Sequence, residues 1–290
     1  METNFITAVF LPLALAVIMF GLGMTLTLTD FKRVALQPTA AFVGLGNQLI
    51  LLPLLAFGLA LLLPMSPELA VGLMILAVCP GGPTSNFITF LCRGDVSLSV
   101  SLTAVSSVVT VLTIPWIINL ALSHFMSATE VVPLPVLNSM VTLLLITLVP
   151  VMLGMLVNHF APGFSLKSRR WVSLGSALLF LLVLAGAIAS QWKALPDFFR
   201  QAGLATLLLN VGSMTVGYLT ARLFHLNAQR QLTIAVESGL QNGTLAIAIA
   251  ASPLLLNNPA MAIPGAIYSL TMFVTAGLLI LTTRINQNAK

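Results

Sequence analysis

Seven residues of the chain are acidic, and six of them, Glu2, Asp30, Glu68, Asp95, Glu130 and Asp197, fall at the edges of long apolar runs. The seventh, Glu237, stands inside one, with no other charged residue between Arg230 and Arg284. A charged side chain at mid-bilayer costs about 2.5–3.5 kcal/mol even on lenient insertion scales, so Glu237 calls for a cationic or protonic partner. No Lys or Arg lies inside an apolar run, so the partner must come from outside, as a sodium ion or a proton. Hard cations take oxygen ligands, and oxygen-bearing side chains recur at Gln48, Ser85, Asn86, Ser99, Thr103 and Gln241. Ser99 and Thr103 are four residues apart and share one helix face. Other uses remain open for these groups. A protonated Glu237 could bond to a neighbour, Ser99 and Thr103 could pack like Ser106, Ser107 and Thr110, and Asn47 with Gln48 fits helix glue as well as ion binding.

The residues around these groups break helices at membrane depth. Cys79-Pro80-Gly81-Gly82-Pro83 removes two backbone donors and relaxes helix geometry, and Glu237-Ser238-Gly239-Leu240-Gln241-Asn242-Gly243 is a polar, glycine-flanked stretch in an otherwise apolar segment. Irregular backbone there is tolerated only where protein or a wet cavity satisfies it, so two such breaks imply a site. Pro83, with Thr84, Ser85 and Asn86 behind it, suits a helix start. Free amides there favour an anion, and freed carbonyls of the preceding half favour a cation.

The elements that must hold these breaks are membrane spans. The chain is 58% hydrophobic and 7% charged, with a mean hydropathy of +1.06, which excludes an ordinary water-soluble domain. The stretches 3–29, 34–67, 69–92, 96–129 and 131–166 carry no Asp, Glu, Lys or Arg, and each exceeds the roughly 20 residues that cross a bilayer. Cutting at loop signals predicts nine spans, at 7–28, 38–63, 68–92, 96–124, 135–158, 172–190, 202–224, 229–252 and 260–283. The first run, with Glu2 in place of a basic leader, reads as a retained span. The two broken spans run in opposite senses. That is the order of an inverted repeat, with residues 7–124 as the first four spans, 172–283 as the second four, and 135–158 unpaired within a single unit of residues 1–290.

Pro53, Pro115, Pro150 and Pro264 are expected to mark kinks, and Gly21, Gly23, Gly44 and Gly46 to allow close packing. His124, His159 and His225 fall at span ends, as do Trp116, Trp171 and Trp192. Cys79 and Cys92 read as buried packing thiols. A net charge of +5 is spread through loops rather than gathered in a patch, which argues against nucleic acid as a partner. An intramembrane enzyme would need a second carboxylate, a histidine or a nucleophile–base pair near Glu237, and none is present in the spans.

The runs CPGGPTSN from Cys79 to Asn86, CRGDVSLSVSLT ending at Thr103, and VESGLQNG from Val236 to Gly243 resemble the paired crossover motifs of the bile acid:sodium symporter family. IMFGLGMTLTLTDF, ending at Phe31, and NPAMAIPGAIYS, from Asn258 to Ser269, extend the resemblance over nearly the whole chain. The resemblance implies an all-α integral membrane protein in which crossed discontinuous helices form a core domain beside a panel domain. It also implies two sodium ions, one held by Ser85, Asn86, Ser99, Thr103 and Glu237, the other by Gln48, Glu237, Gln241 and carbonyls near Ser238 and Leu240. Thr84 and Asn242 would then face the substrate. That substrate would be an organic anion, bile-acid-like or a small carboxylate such as pantoate or pyruvate. Typical members have ten spans, many place a hydroxyl residue where Pro83 stands, and some bile-salt binders are more polar at Met272 and Phe273. Proton coupling is the nearest rival to sodium, and an uncoupled channel or sensor the next.

Orientation in the cell membrane follows from the basic residues. One face of the nine-span arrangement holds Lys32, Arg33, Arg93, Lys167, Arg169, Arg170, Arg222, Arg230, Arg284 and Lys290, and the other holds Lys193 and Arg200. Short cytoplasmic loops are enriched in Lys and Arg, so the N-terminus is expected outside and the C-terminus in the cytoplasm. A reporter fused after Lys290 should be active on the cytoplasmic side and a tag before Met1 accessible from outside. Both ends on one side would eliminate the nine-span arrangement.

Overall fold

The computed structural model describes residues 9–127 and 133–288, with side chains to residue 283. Every named element among the described residues is helical. They are α1 (Leu11–Gly23), α2 (Leu28–Leu36), α3 (Pro38–Leu62), α4 (Pro67–Val78), α5 (Pro83–Leu91), α6 (Val96–Phe125), α7 (Val136–Phe160), α8 (Pro162–Ser190), α9 (Leu195–Leu223), α10 (Ala228–Gly239), α11 (Gly243–Ala251) and α12 (Ile263–Asn288). A short 3₁₀ turn, Pro259–Ala262, leads into α12.

By length and hydropathy, six helical segments can cross a membrane, and a seventh can if α1 and α2, bent by 66° at their junction, count as one span. The nine expected spans also include α4 with α5 and α10 with α11, whose halves are individually short. Proline opens many of these helices: α1, α3, α4, α5, α8 and α9 each carry one at the first or second position, where its missing N–H has no intrahelical acceptor to lose. Inside helices proline acts differently. Pro53 and Pro150 follow the π-helical turns Asn47–Leu51 and Leu144–Leu148. Each proline ring would collide with the carbonyl four residues back, on Leu49 or Ile146, and the wider turn relieves that crowding.

Several expectations are corrected. The first span does not reach Leu28, which instead begins α2 behind a capping box in which Asp30 Oδ2 accepts from Thr27 N at 2.8 Å and Thr27 Oγ1 at 2.7 Å. The helices expected from residues 172 and 202 start earlier, at Pro162 and Leu195, because basic residues in membrane-proximal turns are good helix formers and nothing breaks the chain there. Pro264 lies in the first turn of α12 and kinks nothing.

Helix α1 packs against α7 and α8. The contact with α7 is reciprocal: a Cβ on Gly23 would strike the Val151 backbone carbonyl, and one on Gly154 the Phe20 carbonyl. Helices α3, α6, α9 and α12 surround the two broken pairs, with α9 lying along α10 and α12, and α4 along α6. On the periphery the most apolar stretch of α8 has a mean hydropathy of 2.4, with 17% of it buried. It leaves Leu174, Leu178 and Leu181 uncovered, a surface suited to lipid rather than water.

Gly46, in contrast to the expectation, faces open space. Gly154→Ala should therefore cost about 1–3 kcal/mol through overpacking, whereas Gly46→Ala should be neutral or stabilise by roughly 0.5–1 kcal/mol. Denaturation of both variants in detergent, read by circular dichroism, tests this. Equal effects would dismiss the glycine contact as the α1–α7 lock.

Candidate functional site

The two breaks cross each other. Cys79 leaves the helical region at φ −71°, ψ 149°, and Gly82 caps α5 in extended conformation. On the other strand Leu240 turns out of α10 and Asn242 caps α11, its Oδ1 accepting from Leu245 N at 3.0 Å. Gly81 and Gln241 form an antiparallel bridge, and Asn242 N donates to the Pro80 carbonyl at 2.9 Å. No glycine among the described residues has positive φ, so the glycines of the first break serve close approach rather than unusual backbone angles.

The freed carbonyls find partners on the surrounding helices and within the broken segments themselves. Cys79 O accepts from Gln48 Nε2 at 2.7 Å, and Gly82 O from Ser85 Oγ at 2.8 Å. Ser238 O accepts from Gln241 Nε2 at 2.9 Å. Gly239 O accepts twice, from Asn210 Nδ2 at 2.7 Å and Tyr268 Oη at 2.8 Å. Asn210 Oδ1 in turn accepts from Thr275 Oγ1 at 2.6 Å. Asn210, Tyr268 and Thr275 were not singled out from sequence, although a lone asparagine between Leu209 and Val211 in mid-span was the available signal.

Glu237 is 3% exposed and lies in the last helical turn of α10 rather than within the break, which begins at Leu240. The register is set one turn earlier, where Asp95 N donates to Thr233 Oγ1 at 2.8 Å and Asp95 caps α6 through Leu98 N. One turn further along both helices, Ser99 Oγ donates to Glu237 Oε2 at 2.8 Å and Thr103 Oγ1 donates to Oε1. Asn86 Oδ1 lies 2.8 Å from Ser99 Oγ and 3.4 Å from Thr103 Oγ1. Ser85 is fully buried one position before Asn86. The structure thus gathers Ser85, Asn86, Ser99, Thr103 and Glu237.

Ser99 and Thr103 make four contacts within hydrogen-bond distance, to two carboxylate oxygens and the Asn86 side-chain amide. A hydroxyl carries one proton, and each gives it to the carboxylate while accepting from Asn86 when the amide turns its nitrogen inward. The carboxylate itself has no basic partner among the described residues, so a positive charge or an added proton must offset it in this buried site.

The second expected group is only partly assembled. Gln48 Nε2 donates to Gln241 Oε1 at 2.8 Å, and Gln241 Nε2 lies 3.3 Å from Gln48 Oε1. The two amides therefore pair with each other and with the carbonyls of Cys79 and Ser238, while Leu240 is a buried apolar cap. No hydrogen bond joins Glu237 to Gln48 or Gln241 among the described residues. Thr84 is half-buried at the start of α5, and Asn242 is 6% exposed with its Nδ2 lacking a hydrogen-bond partner. A small cavity of about 10 Å³ lies nearby, between α1, α6 and α7. Pro80 and Leu245 line it from the breaks, with Ser107, Thr110 and Thr147 on its wall, while Thr84 and Asn242 do not. Ser107 and Thr110 also donate to carbonyls of their own helix, the packing role expected of them. Cys79 and Cys92 are buried, and no cluster of three His, Cys, Asp or Glu occurs among the described residues.

Residues 12–197 match the Sodium Bile acid symporter family. An uncharacterized sodium-dependent transporter, YocS, of Bacillus subtilis (strain 168) is 31% identical over 264 residues, covering 90% of this chain and 78% of that protein. A probable chloroplastic sodium/metabolite cotransporter of Arabidopsis thaliana is 31% identical over 277 residues, 95% of this chain and 67% of that protein. The human ileal sodium/bile acid cotransporter is 29% identical over 253 residues, 84% and 71% of the two chains. All three are named as transporters or cotransporters and none as an enzyme.

The closeness of the first break to the carboxylate gives a direct test. A Cβ on Gly81 would lie 2.5 Å from Glu237 Oε1, whereas one on Gly82 would meet nothing nearer than Asn242 Cα at 4.0 Å. Gly81→Ala should displace the carboxylate, destabilise the protein by about 1–3 kcal/mol and abolish any thermal shift on adding sodium. Gly82→Ala should leave that shift in place. If Gly81→Ala keeps a wild-type shift, the carboxylate is not held against the first break as described.

Proposed function

We propose, from the premise that the chain belongs to the sodium bile acid symporter family, that it is a sodium-coupled secondary transporter that takes up an organic anion by alternating access. The observation that carries this reading is a buried carboxylate with no basic residue paired to it among the described residues, ringed by Ser85, Asn86, Ser99 and Thr103. A sodium ion among these groups neutralises the carboxylate in place. In this reading the first ion takes Ser85, Asn86, Ser99, Thr103 and Glu237. The second takes Gln48, Gln241 and carbonyls near Ser238 and Leu240, with Glu237 turned toward it. The reciprocal Gln48–Gln241 amide pair supports a second ion site, since separating the amides would turn two side-chain oxygens and the nearby carbonyls inward.

The anion belongs at the starts of α5 and α11, beside Thr84 and Asn242, where helix amides favour negative charge and the unpartnered Asn242 Nδ2 offers a further donor. The neighbouring cavity, about 10 Å³ with a mostly apolar wall, would have to widen during alternating access to take the body of a carboxylate ligand, small or bile-acid-like. Two sodium ions, one carboxylate and one monovalent anion sum to neutrality, so the loaded site carries no net charge across the low-dielectric region. The proposed architecture has nine spans, with repeats at 7–124 and 172–283 and an unpaired span at 135–158. The crossed pairs with α3, α6, α9 and α12 form the core, and α1, α7 and α8 the panel. The N-terminus is outside and the C-terminus cytoplasmic. The crossing of the breaks through Asn242 and Pro80 supports the repeat.

Two sodium ions entering with one monovalent anion move one net charge, so uptake should be electrogenic, with about 2.3 kcal/mol of driving force per 100 mV. Glu237→Gln keeps the shape and removes the charge. It should lower apparent sodium affinity by about two orders of magnitude, since deleting one partner of a buried charged pair costs about 2–5 kcal/mol. Uptake of a panel of carboxylates and bile salts into vesicles, with sodium replaced by choline at matched pH and potential, separates the readings. Full activity in choline driven by a pH gradient would establish proton coupling instead.

A further inference from the structure

The polar pair Asn47–Gln48 lies on the first π turn, and its two members do different things. Gln48 reaches the crossed breaks. Asn47 points to α9 and is 2% exposed. Its Nδ2 donates to Val43 O at 2.7 Å and to Thr220 Oγ1 at 2.8 Å. Val43 O can only accept, and the Thr220 proton is directed to the Val216 and Gly217 carbonyls at 2.8 and 3.1 Å, so the orientation of the amide is fixed. Both protons on Nδ2 are used, and Oδ1 is left buried with no hydrogen-bond partner. An unmet buried acceptor of this kind costs about 1–3 kcal/mol.

Asn47 lines a second cavity, of about 10 Å³, between α3, α9 and α10. Ser213 and Ser238 contribute hydroxyls to its wall, and Val216 and Leu55 close it. Ser213 spends its proton on Asn210 O at 2.9 Å, so toward the cavity it offers lone pairs. Ser238 links the cavity to the Gln48–Gln241 pair, because its own carbonyl holds Gln241 Nε2. The recess presents Asn47 Oδ1 and the Ser213 lone pairs, is otherwise lined by the Ser238 hydroxyl and apolar side chains, and lies one residue from the proposed second ion site.

We propose that this recess binds a single sodium ion stripped of its water, through Asn47 Oδ1 and Ser213 Oγ, and feeds it to the site at Gln48 and Gln241. The inference rests on the sodium-coupled reading above and adds to it an antechamber outside the residues assigned there. It also divides the roles of one side chain: Nδ2 of Asn47 joins α3 to α9, and Oδ1 serves the cation.

The test measures the sodium concentration that half-saturates the thermal shift and ²²Na binding of the purified full chain, at constant ionic strength with choline chloride. Asn47→Leu and Ser213→Ala should each raise that concentration about tenfold, as expected for loss of one hydrogen-bond-strength contact to a charged group. Thr220→Val removes the same α3–α9 hydrogen bond without touching Oδ1, and should leave sodium dependence unchanged. If Thr220→Val reproduces the Asn47→Leu shift, Asn47 is helix glue and the proposal fails. If both cavity variants change stability but not half-saturation, the recess holds water only and the proposal also fails. Should Asn47→Leu not fold, Ser213→Ala against Thr220→Val decides alone. A wild-type chain indifferent to sodium would sink the coupled reading itself, whereas a sodium-responsive wild type with indifferent cavity variants removes the antechamber only.

Discussion

A backbone that leaves its helix inside a membrane must find its hydrogen-bond partners in the protein, because lipid offers none. Much of this molecule is arranged around that constraint. Two chain segments stop being helical at the same place and cross, and each supplies part of what the other lacks, as when Asn242 N donates to Pro80 O. The remaining carbonyls are met by Gln48 from α3, Asn210 from α9 and Tyr268 from α12. These long helices therefore hold the crossing as well as enclosing it. A polar, water-poor space at membrane depth is the by-product, and Glu237 occupies it.

The same constraint explains which features were legible in the sequence. Glu237 stood out because a lone charge in an apolar run is costly, and Pro80, Gly81, Gly82 and Pro83 announced the first break through lost donors and small size. The second break was harder to bound. Glu237, Ser238 and Gly239 read as part of the break but remain helical, because packing against α6 and α9 outweighs the lower helix propensity of Ser and Gly, about 1 kcal/mol or less per residue. The starts of α8 and α9 were set too late for a related reason: hydropathy marks where the bilayer begins, whereas a helix continues until something stops it.

What the sequence did not disclose was direction. Asn47, Asn210, Thr275 and Tyr268 are all polar residues in apolar helices, and periodicity cannot say which neighbour each meets. The π turns show this most clearly. Pro53 and Pro150 were legible as perturbations, but that the perturbation is a widened turn carrying Asn47 and Gln48 in different directions emerges only from the folded chain. Likewise Gly23 and Gly46 are alike in sequence, yet one holds two helices in contact and the other touches nothing.

The crossing also has a consequence for biosynthesis. Gln48 and Gln241, which pair at the centre of the molecule, are separated by 193 residues, and Ser99 and Glu237 by 138. At about 5–20 residues per second, the ribosome delivers the first break to the membrane roughly eight to thirty seconds before the second exists. During that interval the Cys79 carbonyl has Gln48 beside it, but the Pro80 carbonyl has no Asn242 to accept from. The nascent first half must shelter an unfinished backbone, against the translocon or near the aqueous interface, until its counterpart arrives. The polar heart of the fold thus closes only once the segment from Glu237 to Gly243 has been made.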